Sequence, residues 1–289
     1  MAAIETKTER VAGPLFECLA HIPQRGTINL FWLGQAGFAL RSAAGLVVVD
    51  PYLSNSLAEK YRDACFKHKR MMPAPIGPDE LRGVDLLLAT HAHSDHLDPG
   101  SVGIIMALNP NCSLVSPIRI RPIALERGAD PDRTVGMKTM EIRRFGQISL
   151  EILPSAHEKV DIDDEGNTLF GGFVITMENV CIYHSGDCVP FESLAGMLRE
   201  RGVDMALLPV NGRDAERRSR GVPGNFTVEE AAGLCLDAEI GILVPHHFGM
   251  FDFNTVPPES IRSDLEKYAG TNLRWFVSGT AEYLSVFAK

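Results

Sequence analysis

The stretch His91-Ala92-His93-Ser94-Asp95-His96-Leu97-Asp98 places four potential metal ligands within six residues. It directly follows the apolar run 84–90, whose length and composition predict a buried strand. Because side chains alternate along an extended segment, His91 and His93 should point to the same side. A turn in the second half of the stretch could then direct the next two ligands towards a point close by. Neutral imidazole and carboxylate groups together suit Zn, Mn or Fe, so the stretch predicts a metal site rather than a loop of solvated histidines.

The motif His-x-His-x-Asp-His resembles the signature of the hydrolases of the metallo-β-lactamase fold. Two earlier segments are similar to the opening hairpins of that fold, Trp-Leu-Gly-Gln-Ala-Gly-Phe at 32–38 and Val-Asp-Pro-Tyr-Leu-Ser at 49–54. The resemblance covers residues 28–287 and implies an α/β fold, a four-layer αββα sandwich, with residues 1–289 as a single domain. Its two pseudo-symmetric halves would meet near residue 140. It also implies three further ligands downstream, a His, an Asp and a His.

Each of these three expected ligands follows a predicted strand. His157 comes just after one strand, and Asp187 follows a predicted hairpin in a Gly-Asp turn. The sequence Pro-His-His-Phe comes directly after the strand predicted at 240–244. The family's usual pattern is Pro-x-His followed by an aromatic residue, which selects His247 and leaves His246 as the alternative.

The resemblance divides the ligands between two divalent metal ions, Mn or Zn. One ion would be bound by His91, His93 and His157 and the other by Asp95, His96 and His247, with Asp187 bridging the two. Asp95 and Asp187 would also be the catalytic residues, and the implied reaction is attack of a metal-activated water on a carbonyl or phosphorus centre. Asp50 and His184 also lie at strand ends, and we expect them to support the ligands rather than to bind metal.

The substrate is suggested by a second resemblance, to the L-ascorbate-6-phosphate lactonase branch of the family. Pro-Val-Asn-Gly-Arg-Asp at 209–214 and Tyr-His-Ser-Gly-Asp at 183–187 carry it. It implies a hydrolase that opens the lactone ring of a phosphorylated sugar acid. Guanidinium groups bind phosphate bidentately, so Arg213, in an arginine-rich segment, and the nearby Asn211 are the expected substrate contacts. The alternative is that these arginines belong to a solvated surface loop.

Two other classes of function fit parts of the same pattern. A phosphodiesterase acting on a small or cyclic nucleotide would use the same two-metal site. A non-enzymatic metal-binding protein would carry an incomplete ligand set, whereas here all seven ligand positions are filled. An oxygen-reducing di-iron protein of this fold typically has Glu at the second histidine of the motif, which is His93 in this chain.

Composition limits the partners. A formal net charge of -9 argues against a polymeric nucleic-acid ligand, because phosphate binding requires clustered Lys and Arg. No run approaches the roughly 18 apolar residues of a membrane span. The polar start of the chain and six dispersed cysteines predict free thiols and a cytoplasmic location. The expected partner is a small anionic substrate, and a homo-oligomer is compatible with this composition.

Local signals add three predictions. Residues 52–78 match no regular element, so they are either a solvated surface insertion or a loop that covers the substrate. A helix is predicted to begin at Asp98 and to run to about Leu108, with Pro in its first turn. Another helix should begin after Thr227, with Glu230 completing a capping box.

Overall fold

The computed structural model describes residues 4–288. In chain order the strands are β1 (Glu5–Arg10), β2 (Thr27–Gly34), β3 (Gly37–Ser42), β4 (Gly45–Val49), β5 (Leu86–Leu88), β6 (Ser113–Pro117), β7 (Thr134–Met137), β8 (Ile142–Phe145), β9 (Ile148–Pro154), β10 (Gly171–Met177), β11 (Val180–His184), β12 (Met205–Pro209), β13 (Ile242–His246), β14 (Arg274–Trp275) and β15 (Glu282–Phe287). The helices are α1 (Leu15–Ala20), α2 (Ser56–Lys60), α3 (Val102–Leu108), α4 (Arg121–Glu126), α5 (Leu194–Glu200), α6 (Ala215–Ser219), α7 (Val228–Asp237) and α8 (Pro258–Leu265), with short 3-10 helices at Ile118–Ile120 and Glu266–Tyr268.

The strands form two mixed sheets. The first has the order β1-β15-β2-β3-β4-β5-β6-β7, and the second has the order β14-β13-β12-β11-β10-β9-β8. Strands β4 to β7 are parallel to one another, as are β11 to β14. The first sheet's β7 ends at Met137 and the second sheet's β8 begins at Ile142, so the predicted meeting of the halves near residue 140 is confirmed. Strand β15 alone returns to the first sheet.

Strand β4 shows how the layers are built. Its residues Val47 and Val49 belong to the core shared by the two sheets, whereas Leu46 and Val48 pack in a second cluster with α1, α3 and α4. This alternation is what a strand buried on both faces requires, and each buried Val or Leu side chain contributes about 1.5–3 kcal/mol. Helices α5, α7 and α8 pack with the second sheet. The predicted αββα fold is confirmed.

The loops that carry the predicted ligands leave strands at one edge of this sandwich. The histidine stretch follows β5, Asp187 follows β11, and His247 follows β13. The carboxyl ends of parallel strands lie at the same edge of a sheet, which is where open α/β folds place their sites. Strand β9 also ends there, because its last residue Pro154 pairs with Gly171 at the start of β10. His157 therefore arrives from the same edge.

Several local structures differ from what the sequence predicts. No regular element is predicted within residues 52–78, whereas Ser56–Lys60 form helix α2. Strand β1 was not predicted, because its mostly polar residues alternate without an apolar face, and its pairing partner β15 lies at the other end of the chain. Helix α3 begins at Val102 rather than at Asp98. Residues 98–101 form a turn instead, in which the Asp98 side chain accepts a hydrogen bond from the Gly100 N–H (3.0 Å). The capping box of Thr227 and Glu230 is confirmed.

No helix within residues 4–288 is long and apolar enough to cross a membrane.

Candidate metal centre

The histidine stretch folds into a tight turn directly after β5. The carbonyl of His93 accepts hydrogen bonds from the N–H groups of His96 (3.1 Å) and Leu97 (2.9 Å). This turn brings the second pair of predicted ligands, Asp95 and His96, back beside His91, whose ring centroid lies 4.0 Å from that of His96. The stretch therefore presents its ligands on one side, as the spacing predicts.

The predicted ligands come together in two groups. In each group the potential ligand atoms lie within 4.8 Å of one another. The first group consists of His91, His93, His157 and Asp187, and the second consists of Asp95, His96 and His247. Either group could hold a metal ion. The seven residues come from four different loops, so only the folded chain assembles them.

Asp187 lies between the two groups. Its Oδ1 atom is 3.3 Å from Nε2 of His96 and 3.2 Å from Nε2 of His247. Its Oδ2 atom is 3.4 Å from Nε2 of His157. The two oxygens of one carboxylate therefore face different groups, which is the arrangement that a bridging ligand needs.

Several buried ligand atoms have no hydrogen-bond partner within residues 4–288. They are Nε2 of His91, His96 and His157, and Oδ1 of Asp187. A buried polar atom without a partner costs about 1–3 kcal/mol, and here all four converge on one place. The donor set of imidazole nitrogen and carboxylate oxygen is the one that divalent transition metals prefer. The residues therefore fit a metal centre.

Electrostatics within the cluster favour the protonation states that metal binding requires. Burial, together with the neighbouring His96 and His93, lowers the pKa of His91 well below its ordinary value, so this ring is neutral. Burial acts to raise the pKa of Asp187, but His247 and His96 outweigh it and hold that pKa well below the usual range. A neutral imidazole and an ionised carboxylate are the forms that bind metal.

Asp50 holds the His96 ring in place. Its Oδ2 atom lies 2.6 Å from His96 Nδ1 and accepts a hydrogen bond from the Thr90 hydroxyl (2.6 Å). Its Oδ1 atom accepts a hydrogen bond from the Thr90 N–H (2.8 Å). Asp50 is fully buried, and its backbone adopts a left-handed conformation (φ 46°). A carboxylate on Nδ1 leaves Nε2 free to face the centre, which is the supporting role that the sequence predicts.

His184 does not reach the centre. Its Nε2 donates a hydrogen bond to the carbonyl of Ala36 (2.8 Å), and its Nδ1 accepts one from the N–H of Gly186 (3.1 Å). These bonds fix the turn that precedes Asp187. The position of His184 agrees with the predicted supporting role, which acts through the backbone.

The two adjacent histidines after β13 have different surroundings. His247 lies among the second group of ligands, with its backbone N–H bonded to the carbonyl of Gln35 (2.9 Å) and a left-handed conformation (φ 64°). His246 is fully buried on the other side, where its ring stacks on that of His184 at 4.9 Å. The structure thus brings His247 to the cluster, and it leaves His246 outside.

Gln35 is a site residue that sequence reasoning missed. It lies in the turn between β2 and β3, and its amide nitrogen is 2.9 Å from Oδ2 of Asp95 and 3.0 Å from Nε2 of His247. Its left-handed backbone (φ 53°) places it there. A polar residue within an otherwise apolar hairpin was the available signal.

Arg213 is not brought to the cluster. Its guanidinium forms two hydrogen bonds of 2.6 Å with the carboxylate of Glu230 and a third with the carbonyl of Asn225 (2.9 Å). The sequence predicts that Arg213 contacts the substrate, but in the structure its guanidinium is already paired with Glu230. Asn211 is buried, and its side chain donates to Asn254 (2.8 Å), which lines the cavity described next.

A cavity of about 290 Å³ opens over the cluster. Its floor contains ligands from both groups, and its walls come from residues 57–68, 221–223 and 251–254. Residues 52–78 therefore form part of the wall beside the centre, where Tyr61 and His68 stack at a centroid distance of 4.2 Å. Among the residues that the structure describes, Lys60 is the one Lys or Arg that lines this cavity.

Comparison with known proteins agrees with the fold. Residues 46–248 match a family model described as a beta-lactamase superfamily domain. A UPF0173 metal-dependent hydrolase from Aeropyrum pernix is 29% identical over 257 residues, which cover 83% of this chain and 90% of that protein.

Two solved structures share the fold at low sequence identity. The isothiocyanate hydrolase from Delia radicum gut bacteria has a TM-score of 0.69 at 16% identity, covering 88% of this chain and 97% of that chain. A metallo hydrolase from the archaeon Ignicoccus hospitalis has a TM-score of 0.65 at 20% identity, covering 90% of this chain and 98% of that one. Because the family model spans well over half of the chain, this protein belongs to the β-lactamase superfamily.

Proposed function

We propose that this chain is an enzyme, a metal-dependent hydrolase that holds two divalent ions, Mn or Zn, and opens the lactone ring of a small anionic sugar acid. The observation that carries the proposal is the position of Asp187. One of its oxygens faces His96 and His247, and the other faces His157. A single ion would not require a carboxylate that faces two separate groups of ligands.

The residues have distinct roles in this proposal. One ion would be held by His91, His93 and His157, the other by Asp95, His96 and His247, and Asp187 would be shared. When bound, such a pair of ions lowers the pKa of a water molecule and polarises the carbonyl of the substrate. The Asp95 carboxylate is partly exposed to the cavity, and the Gln35 amide orients it. It is therefore the carboxylate best placed to accept a proton from water that enters the cavity.

The cavity supports a small substrate with one anionic group. A volume of about 290 Å³ suits a sugar-sized molecule. Lys60 has no ion pair within residues 4–288, and its ammonium group lies 5.1 Å from the centroid of the Tyr61 ring, whereas Arg213 is paired with Glu230. We therefore propose Lys60, in place of Arg213, as the contact for a carboxylate or phosphate of the substrate.

A second candidate function is hydrolysis of a small cyclic nucleotide. The stacked pair of Tyr61 and His68 in the cavity wall favours it, because a flat base could pack against this surface. The same metal centre would serve for attack on phosphorus.

Product analysis distinguishes the two candidates. We expect protein supplied with Mn or Zn to convert a member of a lactone panel into the ring-opened acid, detected by mass spectrometry as a gain of one water. A phosphomonoester formed from a cyclic nucleotide panel, with no lactone opened, would instead support the second candidate. If neither panel reacts while the protein holds metal, both substrate proposals fail.

The contact of Lys60 with an anion can be tested by substitution. We expect Lys60→Ala to lower kcat/KM for a phosphorylated lactone by about three- to tenfold, through KM, because an exposed charge contributes modestly. An unphosphorylated lactone should be hydrolysed at an unchanged rate. Arg213→Ala is the matched control, and it should not discriminate between the two lactones. If Arg213→Ala slowed only the phosphorylated lactone and Lys60→Ala affected both lactones alike, Arg213 rather than Lys60 would be the contact for the anion.

A further inference from the structure

Asp98 is a buried carboxylate that the proposed chemistry does not use. It lies two residues after His96 and has no exposed surface. Its oxygens accept six hydrogen bonds, from Ser54 Oγ (2.7 Å), Ser56 Oγ (2.7 Å) and Gly100 N (3.0 Å) at Oδ1, and from Leu53 N (3.2 Å), Ser54 N (3.0 Å) and Ser101 Oγ (2.6 Å) at Oδ2. All six partners are donors, which is a set that only a carboxylate can satisfy.

The six donors belong to two different segments. Two of them, on Gly100 and Ser101, belong to residues 89–101, the loop between β5 and α3 that contains the histidine stretch and that we call the histidine loop. The other four belong to residues 53–56, which lead directly into α2. We call residues 53–61 the wall segment, because Leu57, Lys60 and Tyr61 within it line the cavity. Asp98 thus joins the loop that carries metal ligands to the segment that shapes the cavity.

The backbone around this junction is adapted to close approach. A Cβ atom at Gly100 would lie only 2.4 Å from Oγ of Ser54, so a larger residue there would push the wall segment away. Arg70 donates to the carbonyl of Ser54 in the wall segment (3.1 Å) and to that of Tyr52, directly before it (2.9 Å). Arg127 similarly donates to the carbonyl of Leu97 in the histidine loop. The charge of Asp98 is therefore flanked by cations on both sides, although neither forms an ion pair with it within residues 4–288.

We propose that Asp98 is a positioning residue that fixes the wall segment relative to the metal centre, so that it controls substrate binding without touching the substrate. A hydrogen bond to a charged group contributes more than a neutral one, and four such bonds hold residues 53–56. Within the wall segment, Leu57 of α2 packs in a hydrophobic cluster with Tyr52, Met250 and Phe251, whereas the residues that precede α2 are irregular and are held by these bonds. A measurement of KM to test this role rests on the proposed hydrolase function, whereas a measurement of amide hydrogen exchange does not.

Two serines offer a matched pair of variants. The hydroxyl of Ser56 donates to Asp98 from the wall segment, and the hydroxyl of Ser101 donates to Asp98 from the histidine loop. Ser56→Ala and Ser101→Ala therefore each remove one bond to the same carboxylate, on opposite sides of the junction. Neither serine lies among the residues that line the cavity or the metal groups.

Amide hydrogen exchange measures the position of the wall segment without any substrate. We expect Ser56→Ala to speed exchange in residues 53–61 by about fivefold or more, with unchanged metal content. Once a substrate is known, the same variant should raise KM severalfold and leave kcat unchanged. Ser101→Ala should leave both exchange in residues 53–61 and KM as in the parent protein. Asp98→Asn should speed exchange on both sides of the junction.

Other outcomes overturn the proposal. Unchanged exchange in the wall segment of Ser56→Ala would show that Asp98 does not hold it. Equal effects of the two serine variants on exchange, KM and melting temperature would reduce Asp98 to a general stabilising residue. Metal content and hydrogen exchange are measured without substrate turnover. The positioning role of Asp98 can therefore fail while the hydrolase function stands, and the hydrolase function can fail while the positioning role stands.

Discussion

Asp187→Ala should remove metal from both ligand groups together and abolish most hydrolysis. Its two oxygens face His96 and His247 on one side and His157 on the other, so the substitution removes a ligand from each group. Loss of a residue that merely supports a ligand typically costs about 10- to 100-fold in metal affinity or activity, and a shared ligand should cost more than that. Metal analysis of the purified variant, with kcat/KM measured alongside, checks the prediction.

The neighbouring Cys188 provides the control for this substitution. It is buried, its thiol donates to the carbonyl of Val189, and it belongs to neither group of potential ligands. Cys188→Ser should therefore keep the metal content and activity of the parent protein. If Asp187→Ala kept a full complement of metal in either group, Asp187 would not be the bridging ligand.

The second large effect concerns the adjacent histidines His246 and His247. Nε2 of His247 is 3.2 Å from Asp187 and 3.7 Å from Asp95, whereas His246 faces His184 and the edge of Phe38. His247→Ala should therefore lose one equivalent of metal and lower kcat/KM by about 100-fold or more. His246→Ala should retain metal and a substantial part of kcat.

His246→Ala is not expected to be neutral in every respect. Removing a fully buried ring leaves a cavity, which typically costs about 2–4 kcal/mol, so this variant should melt at a lower temperature. Activity and metal content must therefore be measured well below its melting temperature. If His246→Ala lost metal and His247→Ala retained it, the metal ligand would be His246 rather than His247.

The fold could be predicted from the sequence because its strands are local signals, and the seven proposed ligands are indicated by their positions at strand ends and by the resemblance to the family. Each of the seven follows a strand whose apolar run is visible in the sequence, and the spacing His-x-His-x-Asp-His is set within one turn. The choice of His247 over His246 also came from a local pattern, and the structure places the two rings on different sides of the backbone.

Contacts between distant segments could not be predicted in the same way. Arg213 lies just beyond a strand end, but its partner Glu230 is 17 residues later on α7, and nothing in the local pattern indicates that pairing. Gln35 and Lys60 reach the site only because a hairpin turn and an irregular segment fold against it. Likewise, the local sequence predicts a helix start at Asp98, because the six hydrogen-bond donors around its buried side chain come together only in the folded chain.

The most direct test of the central claim is the metal content of protein purified without chelator, measured together with hydrolytic activity on the same sample. The account predicts about two equivalents of divalent metal per chain, loss of activity on chelation, and recovery on addition of Mn or Zn. A chelated protein that holds no metal and retains full hydrolytic activity would contradict it.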